Sequence, residues 1–206
     1  MQLVAENLIL ERGGRRVIEN LSFRLEAGSA LILTGPNGSG KSTLLRALAG
    51  YLKPVEGAVR LAGLEHDREA SEACHFVGHL DGIKTHLTVA ENLRFWGAYL
   101  AGAADSGRLE AALQRFALDA LADIPAGYLS AGQKRRLALA RLVIAERPLW
   151  LLDEPTVSLD AASSEVLAGV INAHLKGGGL AVIATHVPMA LAPAQTINLA
   201  SAKVPA

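Results

Sequence analysis

Gly35-Pro36-Asn37-Gly38-Ser39-Gly40-Lys41-Ser42 fits the pattern G-x-x-x-x-G-K-[ST]. Its neighbours give the pattern a mechanism. Residues 30–34 (Ala-Leu-Ile-Leu-Thr) form an apolar run of the kind found in buried parallel strands, and residues 41–49 have helical spacing that stops at Gly50. A strand, a glycine-rich loop and a helix therefore follow one another. Glycines let the backbone take positive φ and approach an anion without a Cβ in the way. The loop N–H groups and the helix N-terminus then converge on phosphate oxygens. Lys41 stands in the first helical turn, where a cation opposes the helix dipole unless an anion is bound. The segment from Gly35 to Thr43 is thus expected to bind a nucleotide. Lys41 would grip the β- and γ-phosphates and Ser42 would hold Mg²⁺.

The chain before the loop is β-rich. Residues 3–10 and 21–25 read as strands on either side of a Gly13-Gly14 turn, and 57–61 and 75–77 as further strands. The middle is helical over 88–100, 106–116 and 131–145, with Thr88 and Glu91 forming a capping box. Residues 101–107 read as a helix–helix loop. Beyond them, 149–152 and 180–184 are apolar strands, 161–176 is a helix closed by Gly177-Gly178-Gly179, and 196–199 is a last short strand. The expected fold class is α/β, a phosphate-loop NTPase core with an N-terminal antiparallel β portion. It forms one domain over 1–206, with core segments 1–80 and 137–206 and an inserted α-helical lobe at 81–136.

Residues 149–155 (Leu-Trp-Leu-Leu-Asp-Glu-Pro) end an apolar strand in two carboxylates, at the strand end where open α/β sheets bind ligands. Asp153 is placed to hold Mg²⁺, directly or through water. Glu154 is placed to take a proton from a water attacking the γ-phosphate. Leu129-Ser130-Ala131-Gly132-Gln133 opens the helix at 131–145, and Ser130 can cap it so that the helix start faces an anion. Lys134, Arg135 and Arg136 place cations near that start, against the dipole; a capped surface helix with a solvated basic face is the alternative.

The order of phosphate loop, this pentapeptide and Asp153-Glu154 resembles the ABC ATPases, whose signature is Leu-Ser-Gly-Gly-Gln; Ala131 here replaces the first glycine. The resemblance spans nearly the whole chain. It implies a head-to-tail homodimer in which each ATP lies between one copy's phosphate loop and the other copy's signature. Ser130, Ala131, Gly132 and Gln133 would then face the partner's ATP, and Asp160 in Ser158-Leu159-Asp160 would cross the interface. His186, after the strand at 180–184, would contact the γ-phosphate, so Lys41, Glu154 and His186 form the expected catalytic set. Two positions depart from the family pattern. Arg12 occupies the place of an adenine-stacking aromatic, where it either stacks through its guanidinium plane or is solvated. His79 occupies the place of a glutamine that senses Mg²⁺ and links core to lobe.

Residues 77–84, 91–96 and 147–152 resemble the CcmA family, ATP-binding subunits of bacterial cytochrome c biogenesis, often called haem exporters. That resemblance implies integral membrane partners resembling CcmB and CcmC, and a peripheral location on the cytoplasmic face of the inner membrane. It also implies that ATP hydrolysis powers haem delivery or release with its chaperone. The short length, and the expected absence of a C-terminal regulatory domain, would agree with it.

Composition narrows the classes. Of 206 residues, 50% are hydrophobic and the formal net charge is +0, which argues against a phosphate-backbone partner. With 4% aromatic residues, stacking platforms for single strands are scarce. Cys74 is the single cysteine, so no internal disulfide forms. Cys74, His75, His79 and His86 fit no usual zinc spacing. The N-terminus lacks the pattern of a signal peptide. Residues 177–202 carry no charged side chain, but glycines, His186, Pro188 and Pro193 break them into strand-sized runs, so no membrane span is expected. The competing functions are the ATPase subunit of another small exporter, a soluble ABC ATPase acting on DNA or ribosomes, and a non-catalytic nucleotide-binding module. Lys41, Asp153, Glu154 and His186 count against the last.

Overall fold

The computed structural model describes residues 1–63, 70–102 and 105–200. Residues 103–104 of the expected 101–107 loop, and 201–202 of the uncharged stretch, lie outside them. The residues gather into two compact units. One comprises Met1–Gly78, Pro148–Glu154 and Ile171–Ala206; the other comprises His79–Arg147 and Pro155–Val170. The helical unit thus takes in more chain than the 81–136 lobe read from the sequence.

The first unit carries two sheets. Strands β1 (Gln2–Arg12) and β2 (Arg15–Glu26) form a hairpin, and β4 (Glu56–Ala62) pairs antiparallel on the other side of β1, giving the order β2-β1-β4. The hairpin turns on Gly13 and Gly14, both at positive φ, and sets Arg12 opposite Arg15. β2 starts well before residue 21 because its first half is held by pairing with β1, with only Ile18 fully buried there. Arg15, Arg16, Glu19 and Asn20 are exposed there and leave no alternation to read. Gly57 (φ +84) packs against the Glu6 and Asn7 carbonyls where the β1–β4 register shifts, and no Cβ fits there.

The second sheet is parallel, in the order β5-β6-β7-β3-β8, from β3 (Ala30–Thr34), β5 (Cys74–Val77), β6 (Leu149–Asp153), β7 (Leu180–Ala184) and β8 (Ala194–Asn198). Every residue of β6 and β7 is buried, which is why both read as unbroken apolar runs. Helix α1 (Lys41–Leu48) inserts Leu44, Leu45 and Leu48 among Leu3, Leu10, Leu31, Leu33 and Leu151, joining both sheets in one core. Truncating any of these leucines to alanine is expected to cost ~2–5 kcal/mol. Farther from the loop, the Trp150 and His174 rings stack at 3.8 Å, His174 Nε2 lies 3.2 Å from the Leu180 carbonyl, and Gly179 leaves no room for a Cβ against the imidazole.

The helical unit is built around α5 (Ala131–Ile144), which is buried on nearly every side and packs against α3 (Val89–Ala101) and α4 (Ser106–Arg115). The Thr88–Glu91 capping box forms as read: Thr88 N–H donates to Glu91 Oε2 at 2.8 Å and Glu91 N–H to Thr88 Oγ1 at 3.2 Å. Asn92, 1% exposed, pins the preceding loop. Its Oδ1 accepts from Lys84 N–H, and its Nδ2 donates to the Lys84, Leu87 and Thr88 carbonyls. The first part of α6 (Ala161–Lys176) also belongs to this unit. The four-residue helix α2 (Ala70–Ala73) and the 3-10 turns Asp119–Leu121 and Ala126–Tyr128 are too short to leave a periodic signal. No helix among the described residues is long and apolar enough to cross a membrane.

Candidate active site

β3 delivers the chain into the glycine loop at the end of a buried strand, and Gly35, Gly38 and Gly40 take φ of +133, +82 and +102. Two of them are also closely approached by neighbouring side chains. A Cβ on Gly35 would stand 2.9 Å from Ser39 Oγ, and one on Gly40 would stand 3.0 Å from Ile18 Cγ1. Gly40 immediately precedes α1, so the loop runs directly into the helix N-terminus, whose first turn contains no acidic residue. Lys41 is 7% exposed. Its ammonium turns back over the loop and donates to the Gly35 carbonyl at 2.6 Å and the Pro36 carbonyl at 3.2 Å. The cation thus sits above the amides that would receive an anion. Ser39 Oγ is buried with no hydrogen-bond partner among the described residues.

The three residues expected to be catalytic converge. His186 Nε2 lies 3.3 Å from Lys41 Nζ and 3.3 Å from Glu154 Oε1. One ring nitrogen can accept from the lysine when unprotonated or donate to the carboxylate when protonated, but not both. Asp153 is 6% exposed at the end of β6, and Glu154 follows at φ +46, a left-handed conformation uncommon for a residue with a side chain. The Glu154 N–H is held by the Ala184 carbonyl of β7 at 2.8 Å. A cleft of about 290 Å³ is lined by Asn37, Gly38, Gly40, Lys41, Ser42, Thr43, Asp153 and Glu154, with Arg12, Arg15 and Val17 from the β1–β2 hairpin. Arg12 therefore lies at the cleft, exposed. Arg15 and Val17 were missed in the sequence; the tight Gly13-Gly14 turn, which folds them back beside Arg12, is the signal that could have found them.

Ser42 and Asp153 supply one hydroxyl and one carboxylate oxygen to this cleft, a hard-donor set that suits Mg²⁺. No group of three or more His, Cys, Asp or Glu among the described residues makes a cage by itself. The pair thus fits an ion that arrives with phosphate oxygens and water.

The helical unit holds the other expected residues. Ser130 is the N-cap of α5 in a capping box: its Oγ accepts from Gln133 N–H at 3.2 Å, and Gln133 Oε1 accepts from Ser130 N–H at 2.8 Å. Ser130 and Ala131 are exposed, while Gly132 lies against the segment before Asp160, where a Cβ would stand 2.7 Å from the Ser158 carbonyl. Ser158 itself has φ +68. Asp160 caps α6, accepting from Ser163 N–H at 2.7 Å. The Ser163 side chain and backbone hold its carboxyl below the usual range. His79 is exposed at the start of this unit.

The cations after the signature do not form a solvated face. Lys134 donates to the Gly127 carbonyl, and Arg136 donates to the Phe116 and Ala117 carbonyls at the end of α4. Arg135 is buried and bonded to Asp81 and to the Pro155 carbonyl. Their hydrogen bonds to other segments' carbonyls and to a carboxylate compensate for a position that the helix dipole disfavours.

Comparison with known proteins agrees with this architecture. Residues 18–157 match the ABC transporter family. The chain is 48% identical over 97% of its length to the "Cytochrome c biogenesis ATP-binding export protein CcmA" of Rhizobium meliloti (strain 1021), covering 98% of that protein. It is 50% identical over 97% of its length to the protein of the same name from Cereibacter sphaeroides, covering 90% of it. Among solved structures, a putative ABC transporter ATP-binding protein from Pyrococcus furiosus shares the fold, with TM-score 0.85 at 24% identity over 98% of both chains. A dimeric ATP-binding cassette in a post-hydrolysis state, bound to ADP and Pi, superposes with TM-score 0.77 at 26% identity over 90% of this chain and 88% of that one. The match to the family spans the phosphate loop, the signature and the paired carboxylates together, and on that ground the chain belongs to the ABC transporter family of ATP-binding proteins.

Proposed function

We propose that this chain is the ATP-hydrolysing subunit of a membrane transporter, and that it powers haem export, haem delivery or release of a haem chaperone in cytochrome c biogenesis. The observation that carries the hydrolytic reading is the convergence of Lys41, Glu154 and His186 in the glycine-loop cleft. The loop amides and Lys41 bind and orient the triphosphate. Ser42 and Asp153 would hold Mg²⁺, which would supply positive charge against the triphosphate. Glu154 takes the proton of the attacking water at its carboxylate, and His186 steadies the γ-phosphate through Nε2. Arg12 lies over the base. The haem and cytochrome c part of the reading rests on the full-length similarity to proteins so named.

Hydrolysis requires two copies in this reading. The exposed start of α5, with Ser130, Gly132 and Gln133, closes over the ATP held by the partner, and Asp160 crosses the interface. The nucleotide is thus a shared ligand of a homodimer. Integral subunits resembling CcmB and CcmC provide the membrane passage, and this chain lies peripherally on the cytoplasmic face. Docking falls on the helical unit around residues 81–96. There Phe95, Trp96 and Tyr99 form an aromatic cluster, with Lys84 Nζ 4.2 Å above the Phe95 ring. Tyr99 is 72% and Leu80 86% exposed, a surface suited to an apolar partner segment.

Glu154→Gln tests the core of the proposal. The variant is expected to bind ATP, accumulate as a dimer and lose turnover by ~10²–10⁴-fold. Full activity would remove Glu154 from the role of base. Affinity purification of the tagged chain from solubilised membranes, followed by identification of the integral subunits, tests the transporter assignment.

A further inference from the structure

Arg135 is not among the residues that face phosphate, yet it is 5% exposed and bonds in two directions. Its Nε donates to the Pro155 carbonyl at 3.2 Å, and its Nη1 donates to Asp81 Oδ1 at 2.8 Å. An ion pair this buried adds little stability, because desolvation cancels most of its attraction, and apolar side chains of similar size often replace such pairs without loss. Its value has to be looked for in what it fixes.

Pro155 directly follows Glu154. The pyrrolidine ring fixes the φ of Pro155, and the hydrogen bond from Arg135 to its carbonyl fixes its ψ. Glu154 on the other side stands at φ +46, and its N–H is held by Ala184. A strained backbone persists only where its surroundings over-determine it. Here the constraint comes from β7 before the residue and from Arg135 after it. Asp81 orients the guanidinium and lies two residues after His79, the position where the family's glutamine is replaced.

We infer that Arg135, oriented by Asp81, is a positioning residue for hydrolysis, clamping the Pro155 carbonyl so that the Glu154 carboxylate is aimed at the attacking water. Through Asp81 the same clamp ties the segment after His79 to the residue after the base. This inference rests on the reading of Glu154 as the base.

The test uses the full chain, alone or in whichever complex it turns over ATP. The double variant Arg135→Met/Asp81→Leu removes both charges and leaves neither unpaired. It is expected to melt near the parent temperature and keep KM for ATP within about twofold, while kcat falls by ~10–100-fold, the scale of a small misplacement of a reacting group. Arg135→Lys keeps the charge and a single donor nitrogen in place of two, and should recover part of the loss. Should the double variant fold poorly, Asp81→Asn preserves shape and is expected to lower kcat with KM unchanged. A kcat per folded molecule within about twofold of the parent in the double variant, or in Asp81→Asn where that stands in, overturns the inference; so does Arg135→Lys no better than the double variant. Glu154→Gln run alongside separates the two levels. If it is inactive while the double variant is active, only the clamp fails. If it is fully active, the reading of Glu154 as base fails, and the clamp with it.

Discussion

The glycine-loop cleft and the start of α5 are the two regions proposed to meet phosphate, but they are held in opposite ways. In the cleft, glycines at positive φ, a left-handed Glu154 and a buried lysine folded back on carbonyls keep polar groups under local constraint. At the start of α5, Ser130 and Gln133 satisfy each other in a relaxed capping box, and the serine stays exposed. One surface is unfavourable without an anion, whereas the other is a stable helix cap that can be presented to a neighbour. In the proposed function the grip belongs to one copy and the closure to the other, so damage to each should read out differently.

The largest effect should come from the cleft. Lys41→Ala is expected to lower turnover by ~10²–10³-fold or more, from loss of a charge aimed at the phosphates, with weaker ATP binding measured by calorimetry. A Lys41→Ala chain that binds ATP normally would show that the cleft does not carry the grip. Next, Gly132→Ala forces a methyl against the Ser158 carbonyl. Overpacking should cost ~1–3 kcal/mol, visible as a lower Tm, and should slow hydrolysis while leaving ATP binding to the isolated copy intact. Ser130→Ala loses a helix cap and should cost ~1 kcal/mol in chemical denaturation. It too is expected to spare binding and reduce ATP-driven dimerisation.

The smallest effect concerns pH and again divides the two units. Burial lowers the pKa of His174 from its usual 6.5, so the ring is neutral in the folded protein. Its contribution to stability is present above about 6.5 and is lost as pH falls below that value, when the unfolded chain takes up the proton first. Asp160 in the helical unit is also lowered, by its bonds to Ser163, but from 3.8. Its contribution persists until pH falls past the carboxylate range. Hydrogen exchange followed from pH 7.5 to 5 should therefore show the unit holding the glycine loop loosen first. His174→Phe should flatten that dependence.

Much of this was legible in the sequence because the elements concerned are governed locally. The capping box at Thr88 and the cap at Ser130 need only a partner three residues further on and no tertiary contact, and strands buried on both faces leave unbroken apolar runs such as 149–152 and 180–184. The comparison fails where tertiary pairing decides. The first half of β2, where only Ile18 is buried, shows no alternation, and Arg15 reaches the cleft only because a hairpin folds it beside Arg12. The fates of Lys134, Arg135 and Arg136 depended on carbonyls contributed from distant positions such as Phe116 and Pro155, which no window along the chain contains. The convergence of His186 with Lys41 joins residues from distant parts of the chain in the same way.

Asn92 has a mechanical consequence. Because one side chain bonds Lys84, Leu87 and Thr88 at once, the turn ahead of α3 cannot yield without breaking several bonds together. A push delivered there by a docked partner would move α3 as a stiff lever and be felt by α5, which packs against it, instead of dissipating as a bent loop. Softening that joint with Asn92→Ala would turn a rigid push-rod into a spring.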